Sequence, residues 1–199
     1  MEIVLASTSR YRRALLERLG LPFEAVAPPY DEEGGKRAHA DLGPEALSLA
    51  LARGKALSVA ATRPAALVIG SDQIAVIDGT QLDKPGTPER ARAQLRQLAG
   101  RTHRLVTSVV IAHAATGRVL EHVDVHALTM RALSDAQIAR YVEADAPLDC
   151  AGSYRSESLG VALFETMRGD DATAIVGLPL TAVTRMLAAL GVDPLARDR

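Results

Sequence analysis

The chain has 199 residues, a length that suits one sizeable domain or two close-packed lobes. Hydrophobic residues make up 48% and charged residues 24%, which excludes global disorder, and a formal net charge of -1 argues against non-specific nucleic-acid binding. A single cysteine, Cys150, excludes an internal disulfide framework and a cysteine-rich metal site, and a reducing cytosol is the simplest setting.

The first residues show no basic region followed by an apolar core, and no run of about 18 apolar residues occurs, so neither a signal peptide nor a membrane span is expected. Ile3 to Leu5 form an apolar run too short for a helix and read as a buried strand. Ser9 is the expected N-cap of a helix in which Tyr11, Leu15 and Leu19 share a face, with Gly20 as its stop. Arg10, Arg12 and Arg13 stand in its first turn, at the positive end of the macrodipole, where an exposed cation is misplaced by about 0.3–1 kcal/mol. A bound anion reverses the sign of that cost. Free amides, Ser7, Ser9 and the arginines therefore suggest a phosphate site, against the alternative of a solvated basic helix start.

Leu21 to Ala27 reads as a second strand closed by Pro28-Pro29, and the acidic, glycine-bearing stretch Tyr30 to Lys36 as a loop. Pro44 to Ala61 is rich in helix formers, with Gly54 as a tolerated interruption. Leu67 to Gly70 is a buried strand ending in Ser71-Asp72-Gln73; Ile74 to Ile77 resumes as strand and turns at Asp78-Gly79, a hairpin signal. Gln81 to Gly86 is extended or turning, and Thr87 with Pro88 opens a helix to Ala99. His103 to His113 and Arg118 to Met130 read as long strands joined by Ala115-Thr116-Gly117. Ser134 with Gln137 fits a capping box for a helix through about Ala144. Asp149 to Tyr154 and Val161 to Met167 read as strands around a loop, and Gly177-Leu178-Pro179 precedes a last helix ending near Gly191. Early alternation and late hairpins predict an α/β domain with a mixed sheet and flanking helices.

Asp72 is read at the C-terminal end of an apolar strand, the edge where open α/β sheets place ligands. A carboxylate there suits magnesium or a proton from water; an Asx-turn or helix cap is the plainer reading. Asp31, Glu32 and Glu33 supply a second acidic group, which in a loop is usually just solvated. Lys55, one turn beyond Leu51, and Lys84, before a proline, are each able to meet a phosphate as a point charge, though a surface role is the simpler reading of either alone. His103, His113, His122 and His126 lack the spacing of a metal site and read as solvent-facing or hydrogen-bonded; Cys150 reads as a buried small hydrophobe. No Walker A or GxGxxG sequence occurs.

Ser7-x-Ser9-x-x-Arg12, Asp31-Glu32, Lys55-Ala56, Gly70-Ser71-Asp72-Gln73, Lys84-Pro85, Ala151-Gly152-Ser153-Tyr154 and Gly177-Leu178-Pro179 occur in this order. That combination, running from Ile3 to about Leu190, resembles the Maf family of nucleoside triphosphate pyrophosphatases. The resemblance implies one Maf-like domain over residues 1–199, built as two lobes around a central cleft in the Maf/ITPase-like manner. It implies cleavage between the α- and β-phosphates of a nucleoside triphosphate, with a divalent cation (Mg2+, Mn2+ or Co2+), and it suggests a homodimer. Carried over by position, Asp72 matches the catalytic aspartate, and Ser7, Ser9, Arg12, Lys55 and Lys84 match phosphate-side residues; Glu32 is the expected metal partner of Asp72.

At the base-side positions, where relatives acting on dTTP and UTP carry Arg, Thr and Gln, this chain holds Tyr11, Gln73 and Glu157. That pattern resembles the 7-methyl-GTP branch. N7-methylguanine is cationic, so an aromatic face gains a cation–π contribution of about 0.5–2 kcal/mol, and Glu157 suits the donor edge of guanine. The branch usually has proline before an aromatic that is often tryptophan; here Arg10 precedes Tyr11. The alternatives are a dTTP/UTP pyrophosphatase and a nucleotide-binding regulator of cell division.

Overall fold

The computed structural model describes residues 1–196. The single-domain expectation for 1–199 runs on through 197–199, which lie outside the described residues. Contacts divide the chain into two compact units, residues 1–72, 107–124 and 171 onward in the first, and 73–106 and 125–170 in the second.

The strands are β1 (Ile3–Ala6), β2 (Glu24–Val26), β3 (Leu67–Ile77), β4 (Thr80–Leu82), β5 (Thr102–His113), β6 (Arg118–Met130) and β7 (Phe164–Arg168). The helices are α1 (Arg10–Glu17), α2 (Glu32–Ala38), α3 (Pro44–Ala60), α4 (Pro88–Leu98), α5 (Asp135–Asp145) and α6 (Leu180–Ala189). The sheet order is β2-β1-β3-β5-β6-β7, with β4 paired to β3. Since β1 pairs in parallel with β2 and β3 while β3–β4 and β6–β7 are antiparallel, the sheet is mixed and the class is α/β, as expected.

The first unit follows from the two-residue period of its strands. Ile3 and Leu5 of β1, Leu67 and Ile69 of β3, and Val109 and Ile111 of β5 join one core with Leu15 and Leu16 of α1 and with Val183 and Leu187 of α6. The intervening residues Val4, Ala6, Val68, Val110 and Ala112 join a second core with Ala52, Ala56 and Val59 of α3. Strands apolar on both faces are thus covered by helices on both faces. In the second unit, α4 buries Ala91, Leu95 and Leu98, and α5 buries Ile138, Tyr141 and Val142.

Local signals explain most boundaries. Ser9 caps α1 by accepting from the Arg12 amide at 3.4 Å, and Ser134 with Gln137 forms the expected capping box. Asp78 and Gly79, at φ 49° and 77°, make the β3–β4 hairpin. Some expectations fail. The stretch read as the loop Tyr30 to Lys36 contains α2: Asp31 caps it by accepting from the Gly34 amide at 2.9 Å, and Glu32, Glu33, Lys36 and Arg37 sit at the favourable ends of its dipole. The second strand spans only Glu24–Val26. Asp72 lies inside β3, not at a strand end, because Ser71 to Gln73 continue the ladder. Asp149 to Tyr154 is not a strand but contains a 3-10 turn, Ala151–Ser153, since Gly152 and Ser153 take φ 76° and 63°. Residues 161–163 are likewise 3-10, so the late strand starts at Phe164. Cys150 is half-buried rather than buried.

Candidate active site

In the first unit, Asp72 and Glu32 meet around Lys55. Two consequences of β3's alternation bring this about. Val68, Gly70 and Asp72 share one face, toward α3, while Ile69 and Ser71 share the other. On the α3 face, a Cβ at Gly70 would lie 2.7 Å from the Ala56 amide nitrogen and overlap the Ala52 carbonyl. Only glycine lets the strand touch the helix backbone there, and that approach sets Lys55 against Asp72.

Lys55 and Asp72 are 7% and 5% exposed. The ammonium donates to Asp72 Oδ1 at 2.7 Å and lies 2.8 Å from Glu32 Oε2 at the start of α2. A charge buried unpaired is costly, and these contacts pair each buried charge with one of opposite sign. Ser48 Oγ of α3 donates to the Asp72 carbonyl at 3.2 Å, fixing the backbone at the carboxylate. Tyr30 packs its ring against Gly54, and a Cβ at Gly54 or Gly35 would overlap it. Burial, then the charges of Glu32, Asp72 and Asp31, push the Tyr30 phenol up from its ordinary value, which keeps it neutral.

Arg12, half-buried in α1, donates its Nε to the Gly177 carbonyl at 2.9 Å, and Ser71 Oγ donates to the same oxygen at 3.0 Å. Burial pushes the Arg12 guanidinium below the usual arginine range, opposed by the charges of Asp72 and Glu32. Arginine stays protonated regardless, so two cations face two carboxylates. Ser7 is buried and its Oγ accepts from the Ser9 amide at 3.1 Å, ordering the turn between β1 and α1. Tyr11 is half-buried; Arg10 donates to its hydroxyl at 2.7 Å and places its guanidinium 4.8 Å from the ring centroid.

The structure thus brings Asp72, Glu32, Lys55 and Arg12 into one charge cluster and places Ser7 and Ser9 in the turn that starts α1. Lys84, Gln73 and Glu157 belong to the second unit. Lys84 is exposed after β4, Gln73 is half-buried in β3, and Glu157 is exposed in a turn. Ser48, Ser71 and Tyr30 were not singled out by sequence. Ser71 stood within a quoted motif, Tyr30 only opened a stretch read as a loop, and Gly54 inside a helix was the trace of its packing.

Asp72 and Glu32 each place a carboxylate oxygen within 2.8 Å of one ammonium, so their oxygens converge. Among the described residues no group of three or more His, Cys, Asp or Glu is placed to hold a metal ion. Two convergent carboxylates are the hard oxygen donors that a divalent cation takes from a protein.

The Maf-like protein family matches residues 2–190. A protein of Bordetella pertussis (strain Tohama I) named 7-methyl-GTP pyrophosphatase is 48% identical over 98% of this chain and 94% of its own length. Proteins of the same name from Xanthomonas axonopodis pv. citri and Pseudomonas aeruginosa are 48% and 45% identical, over 95% and 96% of this chain and 96% and 98% of their own. No helix among the described residues is long and apolar enough to cross a membrane. With its length matched almost end to end, and with the ordered motifs from Ser7 to Pro179 lying inside the match, this chain belongs to the Maf-like family.

Proposed function

We propose that this chain is a nucleoside triphosphate pyrophosphatase that hydrolyses 7-methyl-GTP to 7-methyl-GMP and pyrophosphate, removing a modified nucleotide from the pool. The observation that carries the reading is the buried Lys55 held between Asp72 and Glu32. The names of full-length relatives support the substrate. The single cysteine favours the cytoplasm as the setting, and the family resemblance suggests a homodimer.

Phosphoryl transfer needs positioning and charge neutralisation more than covalent chemistry from the protein. Arg12 and Lys55 supply cations for the phosphate oxygens, and Ser7 and Ser9 add hydrogen-bonding groups at a helix N-terminus. Asp72 holds Lys55 through Oδ1, leaving Oδ2 to orient a water and take its proton as the water attacks the α-phosphorus. The bond to the α–β bridging oxygen breaks and pyrophosphate leaves. Asp72 and Glu32 would hold the divalent cation (Mg2+, Mn2+ or Co2+), which supplies further charge neutralisation at the phosphates. The resemblance alone assigns Lys84 to phosphate and Tyr11, Gln73 and Glu157 to the base.

A panel of triphosphates assayed with each of these cations for pyrophosphate release tests the reading. Turnover of 7-methyl-GTP well above dTTP and UTP is expected, with Asp72→Asn inactive but folded and Glu157→Gln less selective for the methylated base. Equal or reversed rates would replace the branch with a dTTP/UTP enzyme. No turnover of any substrate would favour a nucleotide-binding regulator.

A further inference from the structure

Arg12 and Ser71 both lie more than a hundred residues before Gly177, yet both donate to its carbonyl, at 2.9 and 3.0 Å. That oxygen belongs to neither a strand nor a helix interior. Gly177 follows the 3-10 turn Ala174–Val176 and has φ 122°, a left-handed conformation that side chains rarely adopt. The direction of the carbonyl must therefore be held from outside the segment's own ladder.

Asp171 holds it. The residue is 4% exposed. Its Oδ1 accepts from the Thr173 amide at 2.9 Å and the Thr173 hydroxyl at 2.6 Å; its Oδ2 accepts from the Thr181 amide at 2.8 Å and the Thr181 hydroxyl at 2.7 Å. The Thr173 oxygen in turn accepts from the Leu180 amide at 2.8 Å and lies 2.9 Å from the Leu178 carbonyl. One carboxylate ties both ends of the segment that carries Gly177. The N-cap of α6 is Pro179, which has no side-chain acceptor, so Asp171 also supplies the anion at that helix start. A cap alone needs only a short polar residue at position 179. A buried carboxylate reaching from before the segment to beyond it does more: it fixes what lies between.

We infer that Asp171 is a positioning residue for Arg12, acting through Thr173 and the Gly177 carbonyl. The inference rests on the reading of Arg12 as a phosphate contact. Arg12 spends its Nε on Gly177, so its remaining guanidinium nitrogens keep one orientation toward phosphate only while that carbonyl stays in place.

The test is a double-mutant cycle of Asp171→Asn and Arg12→Ala, with Thr173→Val and Thr173→Ser alongside. The readouts are KM and kcat for 7-methyl-GTP and the Kd for inorganic pyrophosphate. Asp171→Asn is expected to raise KM and the pyrophosphate Kd about tenfold, as when a charge-assisted contact is misplaced, with kcat changed far less. In the Arg12→Ala background it is expected to add nothing. Thr173→Val is expected to repeat the effect and Thr173→Ser to restore it. The threonine pair carries the test if Asp171→Asn fails to fold, because the carboxylate and its bonds to Thr181 remain. Multiplying effects of the two mutations, or a fall in kcat at unchanged KM, overturns the inference while leaving Arg12 in its role. An Arg12→Ala protein with unchanged KM and Kd instead removes the phosphate reading of Arg12, and the inference with it.

Discussion

Arg10 stands where the pattern this chain resembles usually has proline, and the structure gives its side chain a partner. Its guanidinium lies over the Tyr11 ring and bonds the hydroxyl. A cation already on an aromatic face competes with a second one, and two cations at one ring repel. If Tyr11 meets the base, Arg10 opposes the charged N7-methylguanine more than neutral guanine. Arg10→Ala is accordingly expected to lower KM for 7-methyl-GTP by about two- to fivefold, the size of an exposed cation–π contact, with little change for GTP. Steady-state kinetics on both nucleotides decide it. A shift of equal size for the two would mean that Arg10 acts on the shared triphosphate. Lys55 shows the same competition resolved differently: its burial between two carboxylates makes it part of the site rather than an opponent of it.

At the scale of elements, Gly54 shows what sequence could and could not reveal. A mid-helix glycine costs about 1 kcal/mol relative to alanine, so on propensity Gly54→Ala should stabilise α3. The structure predicts the reverse, because the new Cβ would overlap the Tyr30 ring; overpacking costs about 1–3 kcal/mol. Urea melts of Gly54→Ala should show a net loss. Turnover should fall too, because Tyr30 packs between Gly35 of α2 and Gly54 of α3, and α2 carries Glu32 to Lys55. Recovery of stability in the Tyr30→Ala, Gly54→Ala double variant would confirm the overlap, and a stabilised single variant would refute it. Helices with strong formers and local caps were legible: Ser9, Thr87 and Ser134 mark their starts from within a few residues. Strands with two apolar faces were legible too. What failed was structure set by distant partners. Two glycines argued against α2, yet they make room for Tyr30 and for the Asp31 cap. The polar run Ser71 to Gln73 looked like a strand end because the partners of its Ser71 hydroxyl, Asp72 carboxylate and Asp72 carbonyl, which are Gly177, Lys55 and Ser48, lie far along the chain. The cluster's members were legible from a motif pattern; the way Gly70 and Tyr30 assemble them was not.

For the molecule as a whole, 23 basic and 24 acidic side chains nearly cancel, so bulk charge repulsion contributes little to stability in mildly acidic solution. Individual buried groups matter more, and His103 is one that acts in that range. Its ring is 2% exposed, Nε2 lies 2.9 Å from the Tyr154 hydroxyl, and Nδ1 is buried without a hydrogen-bond partner. Tyr154 and Phe164 pack around it, with ring centroids 5.4 and 6.2 Å away. Burial pushes its pKa down from 6.5 to about 4, so the native ring stays neutral where an unfolded one is charged. Between those values the unfolded chain binds the extra proton, and stability therefore rises with pH. The contribution is complete above about 6.5 and lost as the pH falls toward 4, by at most about 3 kcal/mol. Asp171 acts lower. Burial alone would raise its pKa, but the bonds donated by Thr173 and Thr181 outweigh it, so its contribution persists through the His103 window and goes only as the pH falls below the ordinary aspartate range. Urea denaturation at several pH values should separate the two. His103→Gln should be less stable than the wild type at neutral pH and converge with it toward pH 4, whereas Asp171→Asn should keep a constant deficit across the same interval. Parallel curves for His103→Gln and the wild type would mean that the native ring titrates normally.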